Sequence, residues 1–431
     1  MSTHTATLNN PRTINAWAFF DWANSAFALV ITSAIFPAYF AAVTNDQVRI
    51  FGIEMSNSSL YAYAVSASYL VIAICSPILS GIADYGGRRM FFLKFFTILG
   101  SMGCLSLYLF RGMPSLAIGL TGFIVAMIGF AGGLVFYNSF LPQIVSEDRY
   151  DRVSARGFSF GYVGSVLLLL VNLWMILNAE KIGFANEGVA TRIAFVMVGL
   201  WWIGFAQIPF RRLPRDPKDR PKQQLLTKGF KELAKVAHIV AQSKDMKRFL
   251  GSFFCYSAGV QTAIFLAATF AEKELKFEST ELILIILILQ LVAIGGAYFF
   301  AKLSDWRGNK FSLMATLVIW TGICFAANQV YTKTQFYFLA AAVGLVVGGI
   351  QSLSRSTYSK LIPEGTKDTT SFFSFYDVLE KSAIIIGTFG FGFIAQVTGS
   401  MRMSVLLLAF FFILGMIILA SVKIRHTREN A

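Results

Sequence analysis

Four charged side chains lie inside long apolar stretches of the sequence, where each charge costs roughly 2.5–3.5 kcal/mol on membrane-insertion scales unless it has a partner or a task. Asp21 lies in the first such stretch, and Asp377, Glu380 and Lys381 lie in the eleventh. Asp377 and Lys381 are spaced i, i+4, so a helix places them on one face, where they can pair. Either these two charges only neutralise each other, or Lys381 faces a central cavity and attracts a substrate carboxylate.

These charges are expected to lie well inside the bilayer. If the first helix starts near residue 14 and the eleventh near residue 372, the helical rise places Asp21 about 10 Å and Lys381 about 13 Å inside. A carboxylate that alternates between water and a dry interior can gain and lose a proton. Asp21, Asp377 and Glu380 are therefore candidates for proton coupling, and no other cofactor is expected.

Polar residues in neighbouring stretches give weaker candidates, because such residues more often join helices than contact a ligand. The candidates for contact with substrate or coupling ion are Asn24, Asn138, Gln261, Gln351 and Arg355. Arg355 is expected near the end of the tenth stretch, where it can reach an anionic substrate or extend to the membrane surface. The four cysteines are isolated and the three histidines lie outside the apolar stretches, so neither a metal site nor a Ser/His/Asp enzyme is expected.

The composition places these residues in an integral membrane protein. Hydrophobic residues make up 56% of the 431 residues and charged residues 14%, against about 25% charged in an ordinary soluble domain. Stretches of about 20 apolar residues can cross a bilayer as helices, and the absence of short alternating segments argues against a membrane barrel. The sequence predicts an all-α fold with twelve transmembrane helices near 14–43, 58–82, 91–110, 114–144, 158–178, 191–210, 248–271, 280–303, 311–331, 334–361, 373–397 and 402–422.

The net charge of +14 indicates orientation rather than a nucleic-acid partner. Of the 37 Lys and Arg residues, 28 lie in connections on the side of the N-terminus, and eight lie on the other side. Because basic connections stay in the cytoplasm, both termini are expected there. The basic residues are sparse between the apolar stretches, so no nucleic acid is expected to bind.

The longest connection divides the chain into a six-helix bundle at 1–210, a basic linker at 211–247 and a second six-helix bundle at 248–431. Twelve Lys and Arg residues lie between 211 and 248. Apolar residues repeat there at helical spacing, at Leu226, Phe230, Leu233, Ala237 and Val240. This pattern predicts an amphipathic helix on the anionic cytoplasmic leaflet, in a tether between the two bundles.

The two bundles repeat each other. The segments Ser80–Arg89 and Ala301–Lys310 share the pattern small-x-x-x-Asp-x-x-Gly-x-basic at an offset of 221 residues, and the same offset maps Tyr137 onto Tyr358. Such symmetry is typical of secondary transporters. The loops supply candidate gating residues, whose charges can pair between helices and close the cytoplasmic side in one state only: Asp84, Gly87, Arg88, Arg89, Asp305, Gly308 and Lys310.

The two Asp-x-x-Gly-x-basic loops and the arrangement of six plus six helices resemble the major facilitator superfamily. Five motifs, one of which includes the first of these loops, resemble its vacuolar amino-acid effluxer branch, which is related to autophagy, and the bacterial permeases of that branch. These motifs are Phe20–Ser25, Ile82–Arg89, Tyr137–Pro142, Gln351–Ser356 and Phe372–Tyr376. The resemblance implies that helices one, four, seven and ten line a central cavity, flanked by two, five, eight and eleven. The pattern departs from the branch at Ser80, Asp377 and Glu380.

The expected function is secondary active transport by alternating access, with amino-acid export as the substrate implied by the resemblance. Export of other small amphipathic metabolites or drugs is an alternative, favoured by aromatic residues in the spans (Trp17, Trp22, Phe136, Tyr137 and Trp174). A receptor or scaffold on the same fold is another. A phosphate-binding GxxxxGK[ST] loop does not occur in the sequence, which argues against ATP-driven pumping. We expect a monomer in the bilayer of a bacterial inner membrane, with a small-molecule substrate.

Overall fold

The structure is a computed structural model that describes residues 8–50, 52–217 and 224–424. The basic residues Lys218, Arg220 and Lys222 of the linker lie outside the described residues, as do Arg425 and Arg428. Their contribution to the excess of basic residues on the side of the N-terminus is therefore known from the sequence alone.

Twelve helices in the described part of the chain are long and apolar enough to cross a membrane, which confirms the predicted number and the all-α fold. We number them span 1 to span 12. Their bounds are Pro11–Val43, Asn57–Gly86, Arg89–Leu109, Met113–Ile144, Glu147–Leu177, Glu187–Arg212, Lys244–Leu275, Glu281–Arg307, Asn309–Asn328, Lys333–Leu361, Thr369–Thr398 and Met401–Ala420.

Several spans extend beyond the apolar cores from which they were predicted. Span 5 begins at Glu147 rather than near 158, and span 7 begins at Lys244 rather than near 248. Some charged side chains of the added turns are exposed at the helix end, such as Arg149 and Lys244, whereas Asp151 is buried. Hydropathy therefore locates the membrane core of each helix but not the turns that project from it.

Two local features were not predicted. Residues Phe27–Ile35 of span 1 form a π-helical segment, in which the hydrogen bonds are one residue longer than in an α-helix. After span 1, strands Gln47–Ile50 and Ile53–Ser56 form an antiparallel hairpin. Gly52 lies in its turn with φ of +83°, a conformation that favours glycine.

Close helix approach within each half depends on small residues. In the C-terminal half, a Cβ atom on Gly348 of span 10 would collide with the backbone carbonyl of Ala293 in span 8. In the N-terminal half, a Cβ on Gly103 of span 3 would lie 2.5 Å from the backbone nitrogen of Ala126 in span 4. These contacts make each half a tightly packed unit.

The linker contains the predicted amphipathic helix, at Leu225–Gln242. Gly229 lies against Gly81 of span 2 and Val236 is fully buried, so one face of this linker helix packs on the N-terminal half. Two members of the predicted apolar face, Leu226 and Phe230, are 63% and 51% exposed beside that contact. The helix therefore buries a smaller apolar face than predicted, and its contact with lipid stays a prediction.

Both ends of the described chain lie at the same end of the helix bundle, which we call the terminal face. There the backbone N–H of Asn9 donates to the carbonyl of Ile144, and the backbone N–H of Lys423 donates to Asp245 Oδ1. Most of the described hydrogen bonds between the halves also lie on this side of the bundle, near the ends of spans 2, 4, 8 and 10 and the starts of spans 1, 5 and 11. The structure is thus closed at the terminal face.

Candidate substrate and gating site

An ion pair between the halves lies at the centre of the closed side. Asp21 of span 1 pairs with Arg355 of span 10, with 3.2 Å between Asp21 Oδ2 and Arg355 Nη1. The side chains of Asp21 and Arg355 are only 6% and 3% exposed. Asp21 lies ten residues from the start of span 1, and Arg355 lies six residues from the end of span 10. At about 1.5 Å per residue, the pair lies roughly 9–15 Å inside the helix ends.

The other contacts of Arg355 also lie on the N-terminal half. Its Nε donates to Ser154 Oγ at 2.9 Å and its Nη2 donates to the Ser154 carbonyl at 2.8 Å. Nη1 also donates to Asn138 Oδ1 at 3.3 Å. The guanidinium of Arg355 is thus bound through hydrogen bonds to spans 1, 4 and 5.

Three aromatic rings surround this guanidinium. The guanidinium carbon lies 4.2 Å from the ring centroid of Phe158, 4.6 Å from that of Trp17 and 5.6 Å from that of Tyr137. Tyr137 also donates its hydroxyl to Asp21 Oδ2 at 2.8 Å, and Trp17 donates its Nε1–H to the Tyr137 carbonyl. Aromatic faces stabilise a desolvated cation, so the cage accounts for the burial of Arg355.

A second charged cluster lies on span 11. Lys381 Nζ is 2.9 Å from Asp377 Oδ1 and 3.0 Å from Glu380 Oε2, so one ammonium group serves two carboxylates. Gln261 of span 7 donates to Glu380 Oε1 at 3.1 Å, and Tyr69 of span 2 presents its ring 5.6 Å from Lys381 Nζ.

The cluster keeps free acceptor capacity. Asp377 Oδ2 is buried without a hydrogen-bond partner among the described residues, and the Glu380 side chain is 23% exposed. With one cation and two carboxylates it carries a formal charge of −1, which fits a cationic ligand better than an anionic one.

The loop residue Asp84 connects the halves at the terminal face. Its two carboxylate oxygens accept from the backbone N–H groups of Thr370 and Ser371, in the first turn of span 11. Arg89 lies 3.1 Å from Asp84 Oδ1 and also donates to Thr370 Oγ1 at 2.8 Å. A carboxylate at a helix N-terminus is stabilised by unpaired N–H groups and by the helix dipole. Gly87 has φ of +60° and ends span 2 in the left-handed conformation.

The repeated loop contacts the N-terminal half in a related way. Asp305 Oδ2 accepts from Arg152 Nε at 2.7 Å, near the start of span 5. Lys310 does not make the predicted charge pair between helices within the described residues, because its ammonium donates to the carbonyls of Ala420 and Val422 at the end of span 12. It therefore satisfies the end of a helix within its own half. Gly308, with φ of +87°, separates spans 8 and 9.

Sequence reasoning missed a buried network around Asp151 at the start of span 5. Asp151 Oδ2 accepts from Lys360 Nζ at 2.8 Å and from Ser304 Oγ at 2.9 Å, and Oδ1 accepts from Asn309 Nδ2 at 2.7 Å. These three donors belong to spans 8, 9 and 10. The repeat symmetry held a signal for this region. Asp84 contacts Thr370 and Ser371 at the start of span 11, and subtracting the offset of 221 predicts that the repeated loop around Asp305 contacts the start of span 5.

The remaining candidates are distributed around these sites. Gln351 Oε1 accepts from the Tyr162 hydroxyl at 2.7 Å across the halves. Asn24 is buried in span 1, and its Nδ2 has no hydrogen-bond partner in the described part of the chain. Arg88 precedes the first turn of span 3. The structure thus brings Asn138 to Arg355 and Gln261 to Glu380, while Asp21 and Lys381 lie in different clusters.

The linker contacts both halves through charged side chains. Asp216 accepts from the backbone N–H groups of Met90 and Phe91 at 2.8 Å, at the start of span 3, and burial raises the pKa of its carboxyl. Lys235 of the linker helix lies 2.8 Å from Asp368, in the connection before span 11, and 2.7 Å from Glu232. Hydrogen bonds to these two carboxylates raise the pKa of Lys235. The linker helix therefore contacts both halves in the closed arrangement.

A sequence profile of the family described as "Vacuole effluxer Atg22 like" matches residues 9–431. The chain belongs to this family. It is 32% identical over 414 residues to YxiO of Bacillus subtilis, described as an uncharacterised MFS-type transporter, with 95% of this chain and 94% of YxiO covered. It is 26% identical over 439 residues to autophagy-related protein 22 of Saccharomyces cerevisiae, with 89% of this chain and 81% of the yeast protein covered.

Solved structures of other transporters share the fold. The human organic anion transporter MFSD10 aligns with a TM-score of 0.73 at 12% identity, covering 95% of this chain and all of MFSD10 (100%). A variant of the fucose:proton symporter FucP of E. coli aligns with a TM-score of 0.67 at 16% identity, covering 95% of this chain and 98% of FucP. The protein is therefore an integral membrane transporter of the major facilitator superfamily, in its Atg22-like branch.

Proposed function

We propose that this protein is a secondary active transporter that moves a small solute by alternating access. The observation that carries the proposal is the set of buried contacts between the halves, concentrated on one side of the bundle, with the Asp21–Arg355 ion pair at its centre. Such contacts hold one side closed, and they must break for that side to open. Two symmetric halves that rock about a central site are the usual architecture for this mechanism.

Amino acids are the substrate class that we propose, and export is the direction. The family description names an effluxer, and the spans carry charged groups of both signs that suit a zwitterion. Arg355 can meet a carboxylate when the halves separate, while three carboxylates are candidate acceptors for an ammonium group: Asp21 in the N-terminal half, and Asp377 and Glu380 on span 11. Lys381 is already shared between the two carboxylates on span 11, so it acts on the substrate through them rather than as a free cation.

The alternative substrates, amphipathic metabolites or drugs, were suggested by five aromatic residues in the spans, and four of these pack on other rings in the closed arrangement. Trp17 and Tyr137 stack on each other at 4.6 Å in the cage around Arg355, and Trp22 stacks on Trp201 at 5.5 Å. Phe136 packs on Phe92 at 5.1 Å. The fifth, Trp174, is 60% exposed, and we therefore propose amino acids ahead of these alternatives.

We also propose proton coupling through the span 11 cluster, because its formal charge of −1 is costly in a membrane and a bound proton removes it. Liposomes with an imposed pH gradient test this point. Glu380→Gln is expected to abolish the response of transport to the gradient, because an amide cannot take up the coupled proton. Transport by the unaltered protein that ignores a pH gradient of either sign overturns the coupling.

The terminal face is proposed to be cytoplasmic in a bacterial inner membrane, on the basis of the charge bias in the connections. The relationship to a Bacillus protein supports a bacterial setting, although yeast relatives occur in the same family. Reporter fusions after Ile424 and in the outer connection near Lys181 test the orientation. An active cytoplasmic reporter at Lys181, with an inactive one at Ile424, contradicts it.

A panel of radiolabelled amino acids in proteoliposomes tests the proposed function directly. Counterflow of at least one amino acid is expected for the unaltered protein and not for liposomes without protein. A matched control carries Asp46→Asn, which removes an exposed carboxylate outside the described contacts between the halves. Counterflow of drugs or other metabolites with none for any amino acid overturns the proposed substrate class.

A further inference from the structure

The guanidinium of Arg355 fills a pocket that belongs entirely to the other half of the protein. Arg355 lies on span 10, whereas its described partners Asp21, Asn138 and Ser154 and its aromatic neighbours lie on spans 1, 4 and 5. When the halves separate at the terminal face, Arg355 leaves with the C-terminal half. The N-terminal half then keeps the pocket without its cation.

The vacated pocket has the chemistry of a cation site. It presents the Asp21 carboxylate, the Ser154 carbonyl and the Asn138 amide oxygen, all of which accept hydrogen bonds. Rings of Trp17 and Phe158 add faces that attract a cation. A ligand that replaces Arg355 there needs a positive charge and several N–H donors, which an ammonium group supplies.

The backbone keeps room for such a group. A Cβ atom on Gly157 of span 5 would lie 2.5 Å from Asp21 Oδ2, 2.9 Å from Arg355 Nη2 and 3.0 Å from the Trp17 ring. Glycine at this position therefore leaves the space that the cation occupies. A methyl group there would enter the pocket between the carboxylate and the cation, which makes Gly157→Ala a direct probe of the pocket.

We propose that the pocket of Asp21, Trp17, Tyr137 and Phe158 binds the ammonium group of the transported solute when the terminal face is open. Arg355 is then a tethered competitor that occupies the same pocket when this face closes, and its return displaces the solute. The ammonium group of the solute then pairs with Asp21, whose partner Arg355 has left with the other half. This inference rests on the proposed transport function and names its substrate class as solutes with a cationic amino group.

Chemical rescue of an Arg355→Ala variant tests the pocket without any transport. Distances between spin labels on the two halves at the terminal face report closure. Arg355→Ala is expected to populate the open arrangement, and methylguanidinium at millimolar concentration is expected to restore the closed one in a saturable manner. Sodium chloride at equal ionic strength and the neutral analogue methylurea are expected to have no effect.

Second variants show whether the probe acts in this pocket. Adding Gly157→Ala to Arg355→Ala is expected to weaken the apparent affinity for methylguanidinium at least about tenfold, because the methyl group takes the space between Asp21 and the cation. Gly251→Ala is the matched glycine control, since no atom lies within 4 Å of a Cβ there. Rescue that is absent, not saturable or equal in the Gly157→Ala background overturns the inference.

If Arg355→Ala does not fold, a competition measurement on the unaltered protein tests the inference. Methylguanidinium added at the terminal face is expected to compete with the transported amino acid, whereas methylurea is not. Amino-acid transport without such competition overturns the inference and leaves the proposed function standing. If no amino acid is transported at all, the proposed function fails, and the rescue experiment still decides whether the pocket binds a cation.

Discussion

Replacing Asp21 by Asn removes one partner of the buried ion pair and is expected to open the terminal face. Removing one partner of a buried pair costs about 3–5 kcal/mol, because the remaining charge is uncompensated. Arg355 keeps the Ser154 carbonyl and Asn138 as acceptors, so we take the lower value of about 3 kcal/mol. Water reaches Arg355 in the open arrangement, and this loss therefore acts on the closed arrangement alone.

The shift in population follows from this energy. About 3 kcal/mol corresponds to roughly a 160-fold change in the equilibrium constant. If about 99% of the unaltered protein is closed, then about 40% of Asp21→Asn remains closed. Removing both charges in Asp21→Asn with Arg355→Gln leaves no uncompensated charge, so the double variant is expected to lie closer to the unaltered protein than either single variant.

Spin labels at Arg149 and Glu364, exposed residues at the terminal face of the two halves, measure these populations by pulsed electron resonance. The four native cysteines are first replaced. Asp46→Asn is the control, since it removes an exposed carboxylate and is expected to leave the distances unchanged. An equilibrium constant for closure in Asp21→Asn within about tenfold of that of the unaltered protein refutes the reasoning, as does a double variant whose shift in free energy equals the sum of the single shifts.

Three further predictions concern the gate, the core and the linker. Asp84→Ala leaves the N–H groups at the start of span 11 without their acceptor. The transport rate in proteoliposomes is therefore expected to fall about tenfold with little loss of expression, and an unchanged rate contradicts the gating role of Asp84. Gly348→Leu is expected to destabilise the C-terminal half by about 3 kcal/mol or more in thermal unfolding, because the new side chain collides with the backbone of Ala293. Gly322→Leu is the control, since no atom lies within 4 Å of a Cβ there. The pKa of Lys235 is raised in the folded protein, so the stabilisation by its pair with Asp368 is fully present below the ordinary pKa of 10.5 and is lost only as the pH rises through the higher folded value. Hydrogen exchange of the linker helix is therefore expected to show no added opening of this contact between pH 7 and pH 10. Added opening in that range contradicts the prediction.

Hydropathy and repeat symmetry predicted the helices and loops because both depend on residues close together in the chain. An apolar helix must span about 30 Å wherever it lies, so the twelve spans could be counted without tertiary contacts. Their polar ends could not be placed, because Glu147 and Lys244 begin helices with turns that hydropathy does not distinguish from loops. The π-helical segment in span 1 depends on packing and leaves no periodic signal.

The pairing of charges could not be predicted because it depends on contacts between distant segments. Asp21 and Arg355 are separated by 334 positions, and the sequence equally allowed Lys381 as the partner of Asp21. Asp151 lies at a helix start, where an acidic residue is ordinary, so only the repeat symmetry pointed to this region and the donors of its buried network could not be predicted. The intrahelical spacing of Asp377 and Lys381, by contrast, predicted a contact that needs only one helix.

Locking the terminal face with a disulfide tests alternating access most directly. The hydroxyl oxygens of Ser139 and Thr370, on opposite halves, are 3.4 Å apart, so cysteines at both positions are close enough to cross-link after the native cysteines are replaced. Oxidation of Ser139→Cys with Thr370→Cys is expected to stop amino-acid transport in proteoliposomes, and reduction is expected to restore it, while each single variant is unaffected by oxidant. Full transport by protein that is demonstrably cross-linked would contradict the account.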